Sequence, residues 1–197
     1  MAQSAHTSAL PTAAFRGGDV ARSSDGLGWS QLRLEHRLTP DGGAQDASLS
    51  FDADLLILHR RRSRMWQEMD GRPRDVIFRP GDALLLPCGC PVRWRWDGAA
   101  ETVVMALPAA GAAPRPCFAA WPLGLFGDAL LHEMSRGEGG ALLADGLALA
   151  VRRWLARPLA QEATPLDDRR LRLVTERIAA GPAAPAMAEL AALAGFS

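Results

Sequence analysis

Residues 29–108 are cut into short segments of alternating or continuous apolar character, with a turn signal about every ten residues; few folds accept that pattern. Leu32, Leu34, His36 and Leu38 alternate with Gln31, Arg33, Glu35 and Arg37, as a half-buried strand requires. Residues 54–59 (DLLILH) form a short apolar run, and residues 65–69 lead into Asp70-Gly71, a dipeptide suited to a hairpin turn. A segment at 75–78 follows, then the Pro80-Gly81 turn and an apolar run at 83–86. Arg93-Trp94-Arg95-Trp96 alternates strictly and stops at Asp97-Gly98, and residues 102–107 close the series. Many short strands at this spacing predict a sandwich or barrel.

The flanks read differently. Residues 1–25, rich in Ala, Ser and Gly and without periodicity, are expected to form a flexible arm. Residues 108–118 (PAAGAAPRPCF) have linker composition. Beyond them Leu123, Phe126, Leu130 and Met134 recur at helical spacing. A second helical segment carries Leu142, Leu143, Leu147, Leu149 and Trp154 and is stopped by Pro158. Near the end, Asp167 or Asp168 can cap a helix lined by Leu171, Val174 and Ile178, Gly181-Pro182 ends it, and a short helix over 187–194 breaks at Gly195. The expected architecture is α+β: an arm (1–25), a β-barrel (26–108), a linker with dimerisation helices (109–160) and a helical C-terminal piece (166–197).

All 22 basic residues are arginine and are matched by 22 acidic ones, giving a formal net charge of zero. A free-standing nucleic-acid binder usually carries a basic excess, so any DNA-binding function has to be local. Three cysteines, Cys88, Cys90 and Cys117, do not make a disulfide framework and are expected as reduced thiols in a cytoplasmic protein. Neither a signal peptide nor a membrane-spanning run is expected.

The segment from Gly81 to Val92 (GDALLLPCGCPV) has a specific shape: glycine, five residues, proline, one residue, glycine, two residues, then an inward-facing position. It resembles the second sequence motif of the cupin superfamily, small double-stranded β-helix barrels. In metal-binding cupins the resemblance would place histidine where Val92 stands, and the upstream His-x-His pair has no counterpart across residues 41–51. With His36 and His59 isolated on different strands, no catalytic metal and no cofactor are expected. A metal-dependent cupin enzyme therefore stays as the alternative to a barrel that holds a small organic ligand. By parity, Trp94 and Trp96 face inward with Val92, while Arg93 and Arg95 face out. The candidate ligand-contacting residues of the interior are His36, His59, Trp66, Val92, Trp94 and Trp96. Two roles stay open for the tryptophans, a stacking platform or simple barrel filling. The basic run Arg60-Arg61-Arg62 with Arg64 reads as a solvated turn, with an anionic partner as the second option.

The C-terminal residues carry a second pattern. Leu190, Ala191 and Ala194 are apolar, and the alanines are small enough for another helix to cross closely. Gly195 can take the positive φ of a sharp turn, Phe196 would pack beneath it, and Ser197 suits an N-cap. The order of barrel, helices and Leu-x-x-Leu-Ala-Gly-Phe-Ser resembles the AraC/XylS family of transcription regulators. That resemblance implies a small-molecule effector, a homodimer, and sequence-specific DNA as partner, with the recognition helix beginning after Ser197. The residues Leu190, Ala191, Ala194, Gly195, Phe196 and Ser197 would scaffold this incomplete helix-turn-helix, and residues 1–197 alone are expected to bind DNA poorly. A stand-alone dimerisation module acting on a full-length regulator is a further alternative.

Overall fold

Strand formation follows the alternation. The computed structural model describes residues 18–42, 44–136 and 140–156, with the backbone alone for 44–47. Among these, the strands are β1 (Asp19–Ser23), β2 (Arg33–Thr39), β3 (Ala44–Leu49), β4 (Asp54–His59), β5 (Ser63–Met69), β6 (Arg72–Phe78), β7 (Asp82–Leu86), β8 (Val92–Asp97), β9 (Ala100–Leu107) and β10 (Arg115–Ala119). The helices α1 (Trp121–Arg136) and α2 (Ala141–Leu155) follow. One sheet has the order β1-β2-β9-β4-β7-β10 and the other β3-β8-β5-β6, with antiparallel pairing throughout. Strands β2-β9-β4-β7 facing β3-β8-β5-β6 give the eight-strand order of a double-stranded β-helix. The cupin-like barrel followed by helices is thus the observed fold, with β1 and β10 extending the larger sheet at its two edges.

The turns explain the motif spacing. Asp70 and Gly71 have φ of 50° and 70°, as the two central residues of the β5–β6 hairpin require. Gly81 enters β7 at φ 91°, and Gly89 leaves it at φ 76°, so neither position suits a side chain. The Gly89 N–H donates to the Phe51 carbonyl at 2.7 Å, tying the exit turn to the strand before it. Buried Asp54 accepts from the Cys88 N–H and the Ala110 N–H, both at 2.8 Å, and so pins the loops that follow β7 and β9.

Two apolar layers result. Between the sheets lie Leu55, Ile57, Met65, Met69, Phe78, Leu84, Trp94, Trp96 and Val104. On the far side of the larger sheet, Leu34, Leu56, Leu58, Leu85, Val103 and Met105 are covered by Leu123, Leu130 and Met134 of α1 and by Ala144, Ala148, Val151 and Leu155 of α2. Ala144 and Ala148 let α2 settle close to its neighbours. Asp145 anchors the same helix, accepting from the Ser30 N–H (3.0 Å), the Ser30 hydroxyl (2.7 Å) and the Gln31 N–H (2.9 Å).

Four expectations change. Residues 19–23, expected within the flexible arm, pair with β2 as β1, and residues 1–17 lie outside the described residues. The segment with linker composition contains β10, which pairs with β7. The β-pattern omitted β3, which pairs with β8. On α2 the expected apolar residues divide: Leu147 and Trp154 pack against the core, but Leu142, Leu143 and Leu149 are exposed, and the buried face is Ala144, Ala148, Val151 and Leu155. The helix-turn-helix pattern at 166–197, including Leu190, Ala191, Ala194, Gly195, Phe196 and Ser197, lies outside the described residues. No described helix is long and apolar enough to cross a membrane.

Candidate functional site

Strand parity decides what the barrel interior presents. On β8, Val92, Trp94 and Trp96 are buried while Arg93, Arg95 and Asp97 are exposed, so three of the candidate residues line the interior. Phe51 stacks on Trp94 with ring centroids 6.4 Å apart. Both indoles are packed among apolar neighbours, as barrel-filling residues are.

His59 also points inward, from the end of β4. Its ring lies flat on Phe78, centroids 3.7 Å apart and planes within 3°, and Trp96 approaches at 5.5 Å. Nδ1 shares a 3.1 Å hydrogen bond with the Ser63 hydroxyl, while Nε2 has no partner. Burial in this aromatic niche, with no counter-charge, pulls the imidazole pKa down from 6.5 to about 3. His59 is therefore a neutral ring at ordinary pH.

Two candidates lie elsewhere. His36 is opposite Val103, on the face of the larger sheet that the helices cover, and its Nε2 meets the Glu101 carboxylate at 2.9 Å. It is not an interior residue. Trp66 sits opposite Arg95 and Asp75, on the outer face of the smaller sheet, because Met65 and Met69 occupy the inner parity of β5. Two of the four arginines of the basic run make surface ion pairs: Arg60 with Asp128 and Glu101, Arg64 with Asp75 and Asp97.

The interior holds polar groups that the sequence reading did not single out. Glu35, fully buried, accepts from Arg37 Nε at 2.6 Å and faces Arg33 at 3.1 Å, forming a charged ladder along the inner face of β2. Arg37, Thr102 and His59 lie in one row across β2, β9 and β4. In the smaller sheet, fully buried Gln67 occupies the inner face of β5 between Trp94 and Arg74, and its Nε2 donates to the Pro116 carbonyl at 2.8 Å. The signal was available as parity: Ser63, Met65, Gln67 and Met69 form one alternating set. Among the described residues, no three His, Cys, Asp or Glu side chains gather as a metal site would need.

Arg115 marks the connection to the helices. It is buried, its guanidinium stacks 5.5 Å over the Phe118 ring, and it donates to the Leu155 carbonyl at 3.1 Å. A cation at this position complements the carbonyl end of α2.

No family model and no curated protein matches the chain. Similar solved structures include the AraC-like transcriptional activator CuxR, at 20% identity over 87% of this chain and 68% of that one, with a TM-score of 0.48. A cupin superfamily protein from Desulfitobacterium hafniense DCB-2 is similar at 16% identity over 46% of this chain and 75% of its own, TM-score 0.36. A cupin domain from Bordetella pertussis Tohama I is similar at 12% identity over 40% and 83%, TM-score 0.35. With all three scores below 0.5, the fold assignment rests on the strand order itself.

Proposed function

We propose that this chain is the effector-sensing part of a DNA-binding transcription regulator of the AraC/XylS type, acting as a homodimer. The observation that carries the reading is the order along one chain. A double-stranded β-helix comes first, two helices seated on its larger sheet follow, and the helix-turn-helix sequence pattern ending in Leu190 to Ser197 comes last. The barrel serves binding rather than catalysis: Val92 fills the position that the cupin motif gives to a metal-binding histidine, and it is packed among apolar side chains. The helices carry a second apolar surface in Trp121, Leu125, Leu142 and Leu149, all more than half exposed, and this supports pairing of two copies.

The barrel and the end of α2 are joined through β10. Gln67 holds the Pro116 carbonyl from inside the barrel, and the adjacent Arg115 holds the last turn of α2. A change in the barrel thus has a short covalent and hydrogen-bonded route to the helix that precedes residues 157–197.

Selection of bound duplexes from a random-sequence pool tests the DNA reading, and sequencing the gene past codon 197 shows whether a basic helix follows. The expected result is enrichment of paired half-sites by the protein whose frame runs into such a helix. Absence of any enriched sequence from that protein overturns the regulator reading. For the pairing, Leu142→Glu with Leu149→Glu is expected to convert a dimer to a monomer in sedimentation analysis, and a wild-type monomer at micromolar concentration refutes it.

A further inference from the structure

At one mouth of the barrel, between the free edge strand β6 and the segment entering β10, lies a pocket of 160 Å³. Gln67 and Met69 form its floor, Asp70, Arg72 and Arg74 its rim, and Pro114 and Pro116 its opposite wall. Cross-strand register fixes this arrangement. Gln67 pairs with Arg74 and Met69 with Arg72, so these side chains leave the sheet on the same face.

The polar groups of this pocket are incompletely matched. A carbonyl can only accept, so Gln67 Nε2 is committed to Pro116, and Oε1 is left as a fully buried acceptor without a partner. Such atoms are rare because leaving them unmade is costly. Arg72 and Arg74 are exposed at this rim and have no ion pair among the described residues, so both guanidiniums are accessible to a ligand. Asp70 is the one acidic group of the lining, so the rim keeps an excess positive charge.

We infer that this pocket binds a small organic anion that also carries a hydroxyl or amino donor. The assignment deepens the sensing reading and rests on it. The anionic group takes Arg72 and Arg74, and the donor takes Gln67 Oε1, with Asp70 as its second acceptor. An anion without a donor would leave Oε1 unmade, and a neutral polyol would leave both guanidiniums unmatched. A cavity of comparable volume accepts a six-membered ring, so the ligand has on the order of six to ten non-hydrogen atoms.

The experiment is calorimetric titration of the full chain with malate, aspartate, succinate, glycerol and D-glucose at about 1–10 mM. Malate (hydroxyl donor) or aspartate (amino donor) is expected to bind about tenfold or more tightly than succinate, which lacks the donor, and glycerol is not expected to bind. Arg72→Gln with Arg74→Gln, two exposed positions, is expected to weaken malate and aspartate about tenfold or more while leaving the circular dichroism spectrum unchanged. Gln67→Met, if folded by the same criterion, should erase the preference over succinate. Three results overturn the assignment: succinate binding as well as malate and aspartate, the arginine double variant binding like wild type, or no anion binding at all. Binding of D-glucose without any anion overturns the anion assignment alone and leaves a sensing barrel standing. Failure of the DNA selection described above, with malate or aspartate bound, removes the regulator reading and leaves the pocket.

Discussion

Acidification probes the aromatic niche around His59. In the unfolded chain its pKa is that of a free imidazole, 6.5; in the folded protein burial holds it at about 3. Above about pH 6.5 the ring is neutral in both states and titrates in neither. As the pH falls below 6.5 the unfolded state takes up a proton that the folded state refuses, so stability is lost with falling pH until the folded pKa is reached. At roughly 1.4 kcal/mol per pH unit, the full window is worth up to about 5 kcal/mol, and about 2 kcal/mol is already lost by about pH 5. Carboxylates titrate over the same range, so the term has to be isolated by difference. His59→Leu keeps an apolar group of similar size against Phe78 and Trp96 and removes the titration. Urea unfolding of both proteins at about pH 7.5 and about pH 5, followed by tryptophan fluorescence, should show wild type losing about 2 kcal/mol more than the variant. Parallel losses would refute the reasoning, because they would mean that His59 protonates in the folded state without penalty.

Two further predictions concern packing and buried charge. Glu35→Gln removes the carboxylate that Arg33 and Arg37 share inside the barrel and is expected to cost about 3–5 kcal/mol in chemical unfolding; a loss under about 1 kcal/mol would show that the ladder is solvated. A Cβ on Gly127 would sit 2.9 Å from Leu58 Cδ1, so Gly127→Leu should force α1 away from β4 at a cost of about 1–3 kcal/mol. Gly124→Ala, with open space around it, should be neutral or stabilising by up to about 1 kcal/mol; equal effects at the two positions would contradict the close helix–sheet contact.

The barrel was legible where side chains alternate or where backbone geometry demands a particular residue. The β8 parity of Trp94 and Trp96, the Asp70-Gly71 turn and the glycines of the 81–92 motif all came through, because each depends on local chemistry. β3 (AQDASL) carries little apolar alternation, and β10 (RPCFA) is hidden in proline- and alanine-rich sequence; both are strands because neighbours offer them a ladder, a tertiary effect. His36 was misplaced for a related reason. Alternation tells two faces apart but not which one meets the other sheet, and here helices bury the Leu34 face while the barrel buries Glu35 and Arg37. α2 misled in the same way: Leu142, Leu143 and Leu149 are exposed, while the small Ala144 and Ala148 make the close contact beside Val151 and Leu155.

The interior charges fall on two opposite borders of the barrel, and the borders differ in kind. Along β2, Glu35 is closed between Arg33 and Arg37, and the carboxylate is wholly removed from water. A group buried with its counter-charges already in place has little to offer a ligand, since any newcomer would have to break an existing pair. Along β5 and β6, a buried acceptor has no donor and two accessible guanidiniums have no ion-pair partner among the described residues. An incomplete set of this kind costs stability in the empty protein and gains it back when a matching molecule supplies the missing partners, which couples occupancy to the stability of this border. Pro116, held by Gln67, lies on the same border, next to the arginine that holds the end of α2. Both borders touch α2, the β2 side through Ser30 and Gln31 on Asp145 and the β5–β6 side through Arg115 on the Leu155 carbonyl; the second is the one with accessible guanidiniums, so a ligand there acts on the last turn of the helix.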